Sequence, residues 1–460
     1  MTVAANLGAR LERILDARRI VTAEEELQAF AVDGVVPAAI VRPASAEEVA
    51  EVVRFAQSEN LAVIPSGSRS KLEIGMPPLR YDIAIDTNQL QQIAHFDAGD
   101  MTLSVDAGMP LRTLEGTLAA KQQFLPLAVP CYETSTVGGA ISSGIDSVLR
   151  QQYGTARDFL IGAEFVDGTG KLCKSGGRVV KNVTGYDMHK LLIGSLGTLG
   201  VITRLNFRTF PLAQTSGGYL ASFASSEQAL ACRASLESSG LPFTNIEVLS
   251  PEILSIISAI LRSAGTEMPP TLESQGWCVY LSYEGNLAVV QRVTNSAANI
   301  ALATGAAQSL PLETQFDESL GGMLREAYEW LRWASPSVLL FRIVQPQIGK
   351  DDLAELANLA SVSSLRSALL VRAAGVLYFA VLSEAEDMAA QEALEKVAAS
   401  VFAHIGKQQG HATLLHAPEL LKFRVNVWGP KRVDFEMMRR VKQAFDPQAI
   451  FAPGRFVGGL

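Results

Sequence analysis

The stretch GGRVVKNVTGYDMHKLLIGSLGTLGVIT, from Gly176 to Thr203, carries the strongest indication of the fold. Gly194, Gly197 and Gly200 recur at every third position, and an apolar, β-branched run follows them. A Rossmann fingerprint has the opposite order, because its GxGxxG sequence follows a strand. The spacing therefore argues against an NAD site.

Polar donors crowd the first half of this stretch. They are Lys181, Asn182 and Thr184, beside Gly185. Tyr186–Asp187 then predict the start of a helix, whose N-terminal amides favour an anionic ligand. From Gly138 to Gly200, thirteen of 63 residues are glycine and the formal charge is +2, although the whole chain carries −8. This local excess predicts a site where the backbone approaches a bulky anion.

Two shorter glycine-containing loops lie upstream. Pro65–Lys71 reads PSGSRSK, in which Gly67 permits close backbone approach and the serines and lysine offer donors to phosphate oxygens. This loop lacks GxxxxGKS or GxxxxGKT, so an ATP-binding P-loop is disfavoured. Thr136–Gly144 reads TVGGAISSG, whose paired glycines permit tight packing against a ligand. Each loop taken alone is equally consistent with an ordinary turn.

Composition sets the broad class of protein. With 460 residues, 48% hydrophobic and 19% charged, the chain is globular and long enough for two or three packed lobes. The net charge of −8 argues against nucleic acid as a partner. Four cysteines without a CxxC pair argue against a disulfide framework or a zinc site. No secretory signal and no apolar run of about 20 residues are visible, which predicts no direct membrane insertion. The protein is then either cytoplasmic or held at the inner membrane only through partners.

Secondary-structure patterns organise the chain as an α+β protein. Ser45 and Glu48 form a capping box that opens a predicted helix over 47–59, and apolar runs on either side complete a predicted βαβ unit. The Asp167–Gly168 turn predicts a hairpin. From Gly217 onward, strands alternate with amphipathic helices, which predicts an α+β sandwich.

Taken together, PSGSRSK, TVGGAISSG, YGTARDFLIGAEFVDGTGKL and the glycine-rich stretch resemble the flavin domain of the vanillyl-alcohol-oxidase/PCMH-type FAD-binding oxidoreductases. Within that family, the glycine-rich stretch and FDPQAIFAPGRF are most similar to the FAD-binding E subunits of bacterial glycolate oxidases. The resemblance implies an α+β fold, with a two-subdomain PCMH-type FAD-binding domain and an α+β ferredoxin-like cap facing the flavin ring. It places the FAD-binding domain at 20–213, the cap or substrate domain at 214–415, and a C-terminal segment returning to the FAD domain at 416–460.

The resemblance also implies which residues hold FAD, through the diphosphate loop, a second diphosphate wall, a flavin-supporting element and a run of backbone amides. In that order they are Pro65, Ser66, Gly67, Ser68, Arg69, Ser70 and Lys71; Pro130, Thr136, Gly138, Gly139 and Ser142; Gly154, Arg157 and Asp158; and Gly200, Val201 and Ile202.

Several positions depart from the family pattern. Many relatives attach FAD through a histidine in the first loop, where this chain has Arg69 and Ser70. Some attach it through a cysteine before the glycine pair, and Cys131 is offset from that position by one residue. We therefore expect non-covalent FAD. Ala452 stands where relatives have asparagine, so any flavin contact through that side chain is lost.

The catalytic group is the least defined part of the prediction. The HxGDGN and GEHG motifs of metal-dependent relatives are absent, so we expect no metal. Removal of hydrogen from a hydroxyl-bearing carbon needs a base, for which His411 and His416 are candidates, and Arg342 is a candidate for binding a carboxylate. Packed or solvated positions remain the alternative for all three.

The resemblance implies an FAD-binding subunit of a glycolate-oxidase-type complex that oxidises a small 2-hydroxy acid, glycolate to glyoxylate or D-lactate. Its implied partners are a second flavin subunit and an iron–sulfur subunit that receives the electrons, since this chain has no iron–sulfur cysteine pattern. Two alternatives stay open. One is a stand-alone FAD-dependent dehydrogenase or oxidase of a hydroxy acid or sugar, and the other is a non-catalytic assembly subunit.

Overall fold

The computed structural model describes residues 3–178, 185–266, 269, 276–373 and 375–460. Lys181, Asn182 and Thr184 lie outside the described residues. The chain divides into two compact units. Unit 1 comprises Met1–Asp146, Thr155–Leu212 and Pro430–Leu460, and unit 2 comprises Ser147–Gly154 and Ala213–Gly429. The functional domain bounds 20–213, 214–415 and 416–460 stay a prediction.

Unit 1 contains a small sheet with a parallel centre. Its strands are β1 (Ile20–Val21), β2 (Ala39–Val41), β3 (Val63–Ser66) and β4 (Ile83–Asp86), in the spatial order β1-β2-β4-β3. Both β2 and β3 run parallel to β4. The helix Ala46–Ser58 connects β2 to β3, and Ser45 Oγ accepts from the backbone N–H of Glu48 at 3.1 Å. The predicted helix cap and βαβ unit are confirmed.

A second sheet of unit 1 is antiparallel. Its spatial order is β5-β6-β10-β8-β9. The strands are β5 (Ile93–Asp97), β6 (Thr102–Asp106), β8 (Leu160–Val166), β9 (Leu172–Gly176) and β10 (Val201–Arg208). A short pair joins β7 (Gln123–Phe124) to β11 (Phe210–Pro211). Because β8 and β9 pair across the Asp167–Gly168 turn, the predicted hairpin is confirmed.

The remaining helices of unit 1 are short. The α-helices are Val3–Leu11, Glu24–Gln28, Leu111–Ala119, Val137–Ser143, Ala156–Phe159 and Phe435–Phe445. The predicted helix after Asp187 is a 3₁₀ helix of four residues, Met188–Leu191. Val166, Val201, Ile450 and Phe451 pack into the core of the parallel sheet, so the second sheet and the C-terminal tail share that core.

Unit 2 is built on one sheet of eight strands in the part of the chain that the structure describes, in the order β15-β12-β14-β13-β17-β18-β16-β19. The first half has β12 (Thr215–Phe223), β13 (Phe243–Leu249), β14 (Trp277–Gly285) and β15 (Gln308–Pro311), and the second has β16 (Ser337–Val344), β17 (Arg366–Arg372), β18 (Val376–Ser383) and β19 (His411–His416). Within each half, the first strand lies between the third and the fourth, as in a ferredoxin-like βαββαβ unit. The antiparallel pair β13–β17 joins the two halves.

Helices fill the connections of unit 2. They are Arg150–Tyr153, Ser226–Ser238, Pro251–Ser263, Leu287–Ala303, Thr314–Arg325, Ala327–Leu331, Lys350–Ser361, Met388–Lys407 and Glu419–Lys422. Among the described helices of the whole chain, none is long and apolar enough to cross a membrane. The predicted α+β class is confirmed.

Candidate cofactor site

The first wall of a cavity in unit 1 is the loop Pro65–Lys71, which begins where the parallel strand β3 ends. Ligands commonly bind at that edge of a parallel sheet. Two side chains hold the loop backbone. Thr87 Oγ1 donates to the Ser66 carbonyl at 3.1 Å, and Asn88 Nδ2 donates to the Gly67 carbonyl at 3.2 Å. These bonds fix the backbone path of the loop without help from a ligand.

The second wall is the helix Val137–Ser143, whose N-cap Thr136 accepts from the Gly139 N–H at 3.1 Å. A Cβ on Gly67 would overlap the Thr136 side chain, and a Cβ on Gly138 would lie 2.8 Å from the Ala107 carbonyl oxygen. Both contacts would be too close for a real Cβ, so each position needs glycine. The two glycines therefore let the walls approach each other closely.

The third wall belongs to the glycine-rich stretch that opened the sequence argument. Gly197 has φ of +72°, and a Cβ there would lie 2.6 Å from Pro65 Cγ. A Cβ on Gly200 would lie 2.7 Å from the Val166 carbonyl oxygen. The recurrence of glycine at every third position thus meets two separate packing demands, against the first loop and against the neighbouring strand.

The electrostatics of this cavity favour an anion. Arg69, Lys71 and Arg455 line it, and no acidic side chain is among the described lining residues. The Arg69 guanidinium lies 4.2 Å from the centre of the Phe30 ring. Three cations with no lining carboxylate suit a ligand such as a dinucleotide diphosphate.

Two further features fit a bulky polar ligand. Ser66 Oγ is buried and has no hydrogen-bond partner among the described residues, and buried hydroxyls ordinarily have one. A Cβ added to Gly139 would meet only Thr136 Oγ1, at 3.0 Å, which leaves the other directions around it open. The residues of the cavity therefore fit a dianionic cofactor.

A polar network lies behind the loop. Lys71 Nζ is buried and donates to the hydroxyl of Ser135, and Ser70 Oγ lies 3.3 Å from the same hydroxyl. Ser135 Oγ in turn lies 3.3 Å from the Pro130 carbonyl oxygen that it donates to. Cys131 Sγ lies 3.7 Å from the Ser70 carbonyl oxygen. Pro130 thus supports Lys71 through Ser135 and does not itself line the cavity.

Most of the residues predicted to hold FAD line this one cavity. They are Pro65–Lys71, Gly138, Gly139, Ser142, Gly200, Val201 and Ile202. Neither a histidine nor a cysteine is among the described lining residues. That the residues bind FAD stays a prediction, since the structure shows only that they come together.

Five of the predicted residues do not line the cavity: Pro130 and Thr136, which lie next to it, and three that are placed elsewhere. Arg157 and Asp158 belong to the short helix Ala156–Phe159 of unit 1, where Asp158 Oδ2 accepts from the Thr155 N–H at 2.7 Å. Gly154 belongs to unit 2, with φ of 77° and ψ of −159°, a conformation that is essentially confined to glycine. None of the three lines the cavity described above, and Asp158 has a clear structural task as a helix cap.

Sequence reasoning missed part of the lining. The residues not predicted to bind the cofactor are Leu72, Thr87, Ala107, Ser143, Leu196, Gly197 and Arg455. Arg455 is the most informative of them because it lies in the C-terminal tail, far along the chain from the other walls. In the sequence it was marked by its place in FDPQAIFAPGRF, directly after Pro453–Gly454.

The catalytic candidates lie together in unit 2. Arg342 is on β16, and both histidines are on the adjacent strand β19. His416 lies opposite Leu340, two positions before Arg342, and His411 lies opposite Val344, two positions after it. Residues directly opposite each other, and alternate residues of one strand, share a face of the sheet. All three candidates therefore share one face, on which Thr413 Oγ1 lies 3.3 Å from His411 Nε2.

The same face carries a buried ion pair. Arg372 Nε donates to Glu247 Oε1 at 2.7 Å, and the two side chains are 1% and 0% exposed. Arg372 also donates to the Leu324 carbonyl at 2.7 Å and lies over the ring of Tyr378, at 5.1 Å from its centre. Tyr378 is directly opposite Arg342 across β16 and β18. The ion pair thus supports the neighbourhood of Arg342 from within the sheet.

A second polar pair lies farther along this face. Tyr280 Oη donates to Asp317 Oδ1 at 2.8 Å, in the space left by Gly218, where a Cβ would overlap the Asp317 carboxylate. Burial raises the pKa of Asp317 and also raises the pKa of Tyr280. Over the described ranges, no group of three or more His, Cys, Asp or Glu residues is placed to hold a metal ion.

Two protein-family models match the chain. The one described as FAD binding domain matches residues 37–176, and the one described as FAD linked oxidases, C-terminal domain, matches residues 214–456. The second match alone covers more than half of the chain.

Several curated proteins are similar in sequence. D-2-hydroxyglutarate dehydrogenase of Xanthomonas citri pv. viticola is 36% identical over 174 residues, which is 37% of this chain and 36% of that protein. Glycolate oxidase subunit GlcD of Bacillus subtilis is 22% identical, with 91% of this chain and 88% of that protein covered. Glycolate oxidase subunit GlcE of Escherichia coli is 34% identical, with 36% of this chain and 47% of that protein covered. The match thus spans about a third of the first relative's length.

Solved structures share the whole fold. p-Cresol methylhydroxylase has a TM-score of 0.77 at 14% identity, with 99% of this chain and 97% of that chain covered. An alkyldihydroxyacetonephosphate synthase has a TM-score of 0.73 at 19% identity, with 98% and 86% covered. At these identities the likeness concerns the fold alone, and it confirms the predicted PCMH-type FAD-binding fold with its cap.

Proposed function

The chain belongs to the family of FAD-linked oxidases, and from that membership we propose that it is the FAD-binding subunit of a glycolate-oxidase-type complex. Its substrate in this proposal is a small 2-hydroxy acid, glycolate or D-lactate. The observation that carries the proposal is the cationic, glycine-walled cavity of unit 1. The similarity to two glycolate oxidase subunits supports the substrate class and the existence of partner subunits.

The cavity residues divide the work of holding the cofactor. Lys71 and Arg69 supply positive charge for a diphosphate, and Ser66 Oγ supplies a buried hydroxyl with no partner among the described residues. Gly139 leaves room for the bulk of the cofactor. Non-covalent attachment is supported by the absence of histidine and cysteine from the described lining residues and by the hydrogen bond of Cys131 to a backbone carbonyl.

Oxidation of a 2-hydroxy acid to a 2-oxo acid removes two electrons and two protons from the CH–OH group. Bound FAD supplies the two-electron acceptor. In unit 2, Arg342 is the group suited to bind the substrate carboxylate, and His411 is suited to accept the hydroxyl proton, with Thr413 oriented toward its ring. His416 is the alternative base on the same face. The electrons then pass to a second flavin subunit and an iron–sulfur subunit.

Purification of the chain alone tests this proposal. We expect a yellow protein that does not reduce an artificial dye with glycolate or D-lactate, and that becomes active when the partner subunits are added. A stand-alone dehydrogenase is the second candidate, favoured by the similarity to D-2-hydroxyglutarate dehydrogenase, and it predicts dye reduction by the chain alone. A colourless, stable protein would instead indicate a non-catalytic assembly subunit and overturn both flavin proposals.

The variant Gly139→Val tests the cofactor site itself. Its added atoms would enter the open directions around Gly139, so we expect loss of FAD binding while the apoprotein remains folded. The matched control is Gly116→Val, at an exposed position of the helix Leu111–Ala119, where a Cβ would meet nothing within 4 Å. The measurement is the ratio of flavin to protein after purification, with circular dichroism of both variants. Stoichiometric flavin in Gly139→Val would show that the second wall is misplaced.

A further inference from the structure

The side chain of Arg455 connects the C-terminal tail to the far end of the first loop. Its Nη2 donates to the carbonyl of Leu72, directly after Lys71, and to the carbonyl of Ile74 at 2.7 Å. The Met76 N–H returns a bond to the Arg455 carbonyl at 3.0 Å. Arg455 thus fixes the backbone at which the cavity loop ends.

The same tail also holds the start of that loop. The Val63 N–H donates to the Ile450 carbonyl at 2.8 Å, and the Ala452 N–H donates to the Val63 carbonyl at 2.8 Å. Val63 is the first residue of β3, which leads into Pro65–Lys71. The tail segment Ile450–Arg455 therefore makes hydrogen bonds to the chain just before and just after the cavity loop.

Arg455 also contributes charge to the cavity. Its side chain lines the cavity although the residue is 2% exposed. Burial lowers the pKa of Arg455 to about 10, against the opposing influence of Asp33 and Tyr81. The guanidinium therefore remains protonated at neutral pH. Asp33 opposes this charge but does not line the cavity, whereas Arg455 does, so the guanidinium adds to the positive charge that faces an anion there.

We propose that Arg455 is a positioning residue for FAD, which locks the end of the loop Pro65–Lys71 and adds positive charge to the cavity that the loop encloses. The proposal rests on the cofactor site proposed above. The proposal adds a requirement outside the loop motif, because Arg455 lies 383 positions after Leu72, whose carbonyl it binds.

The test measures FAD affinity of the apoprotein by fluorescence titration. Arg455→Met removes charge and donors, and we expect about a tenfold or greater loss of affinity. Arg455→Lys keeps the charge with fewer donors and should lose less. The control is Arg54→Met, since Arg54 also donates to a backbone carbonyl of unit 1, that of Gly170 at 2.8 Å, but does not line the cavity.

Two readouts separate positioning from simple loss of structure. The affinity of Arg455→Met should depend less on salt concentration than that of the natural chain, because one cation facing the anion is gone. At saturating FAD, the visible flavin spectrum of Arg455→Lys should match that of the natural chain. If Arg455→Met fails to fold, hydrogen exchange on the natural chain decides, since FAD should increase protection of both 72–76 and 450–455.

Affinity of both Arg455 variants equal to that of Arg54→Met would overturn the proposal, as would unchanged protection of the two segments on addition of FAD. These outcomes differ from failure of the cofactor site. If Gly139→Val retains flavin, the site itself is wrong, whereas flavin loss in Gly139→Val with normal binding in the Arg455 variants would overturn only the role of Arg455.

Discussion

The two units form their polar regions in opposite ways. In unit 1 the cavity is shaped by missing side chains, because Gly67, Gly138 and Gly200 let backbone segments meet where a Cβ would collide. In unit 2 the polar sheet face is shaped by large buried side chains, above all the ion pair of Arg372 with Glu247. We therefore expect unit 1 to be sensitive to atoms added at these glycines, and unit 2 to be sensitive to removal of one partner of the buried ion pair.

The largest effect should come from breaking the buried pair of unit 2. Arg372→Leu leaves Glu247 charged and buried without its partner, and we expect a loss of about 3–5 kcal/mol in the free energy of unfolding. Urea denaturation followed by circular dichroism measures it. The double variant Arg372→Leu with Glu247→Leu should recover a large part of the loss. A loss below about 1 kcal/mol in the single variant would show that the pair does not dominate this face.

An intermediate effect should come from adding one methyl group to the second wall of the cavity. In Gly138→Ala the new Cβ would lie 2.7 Å from the Ala107 Cβ and 2.8 Å from its carbonyl oxygen, so we expect a loss of about 1–3 kcal/mol in the free energy of unfolding of the apoprotein. Gly139→Ala is the matched control, because its Cβ would meet only a hydroxyl. Differential scanning calorimetry compares the two. Equal destabilisation would remove the distinction between a glycine needed for packing and one needed for the ligand.

The smallest effect should be a change in pH dependence. Burial raises the pKa of Asp317 in the folded chain, so the folded state binds this proton more tightly than the unfolded state does. Its stabilising contribution is present below the ordinary aspartate pKa and is lost as pH rises through the raised value. Asp317→Asn should therefore show a weaker decline of unfolding free energy as pH rises above about 4. The control is Asp351→Asn, at an exposed helix start of the same unit. A decline in Asp317→Asn as steep as that of the natural chain and of the control would contradict the prediction.

Local features of the fold could be predicted well from sequence. The Ser45 cap depends on residues within one helical turn, and the Asp167–Gly168 hairpin depends on a single turn, so both were readable. The strand β5 was not predicted, because His95 and Asp97 interrupt its apolar pattern. The helix Pro251–Ser263 was not predicted either, although Ser250 as its N-cap and Pro251 at its first position mark its start in the sequence.

The residues of the candidate site likewise fall into those that could be predicted from sequence and those that could not. The loops carrying Gly67 and Gly139 were found because close approach of the backbone demands glycine at fixed spacings. Arg455 was missed because its partners, Leu72 and Ile74, are backbone carbonyls that leave no trace in the sequence. Glu247 and Arg372 were missed because their pairing depends on the register of strands more than 100 positions apart.

The hydrogen bonds between the segment Ile450–Arg455 and the ends of the first loop have a consequence for the synthesis of the protein. A ribosome releases the loop early and this segment some 380 positions later, after all of Ala213–Gly429 has emerged. Unit 2 can fold while the chain is still growing. The cofactor cavity, by contrast, is complete only when synthesis has passed Arg455. A chain cut short before this segment would lack the hydrogen bonds of the tail to Val63, Leu72 and Ile74 that hold both ends of the loop.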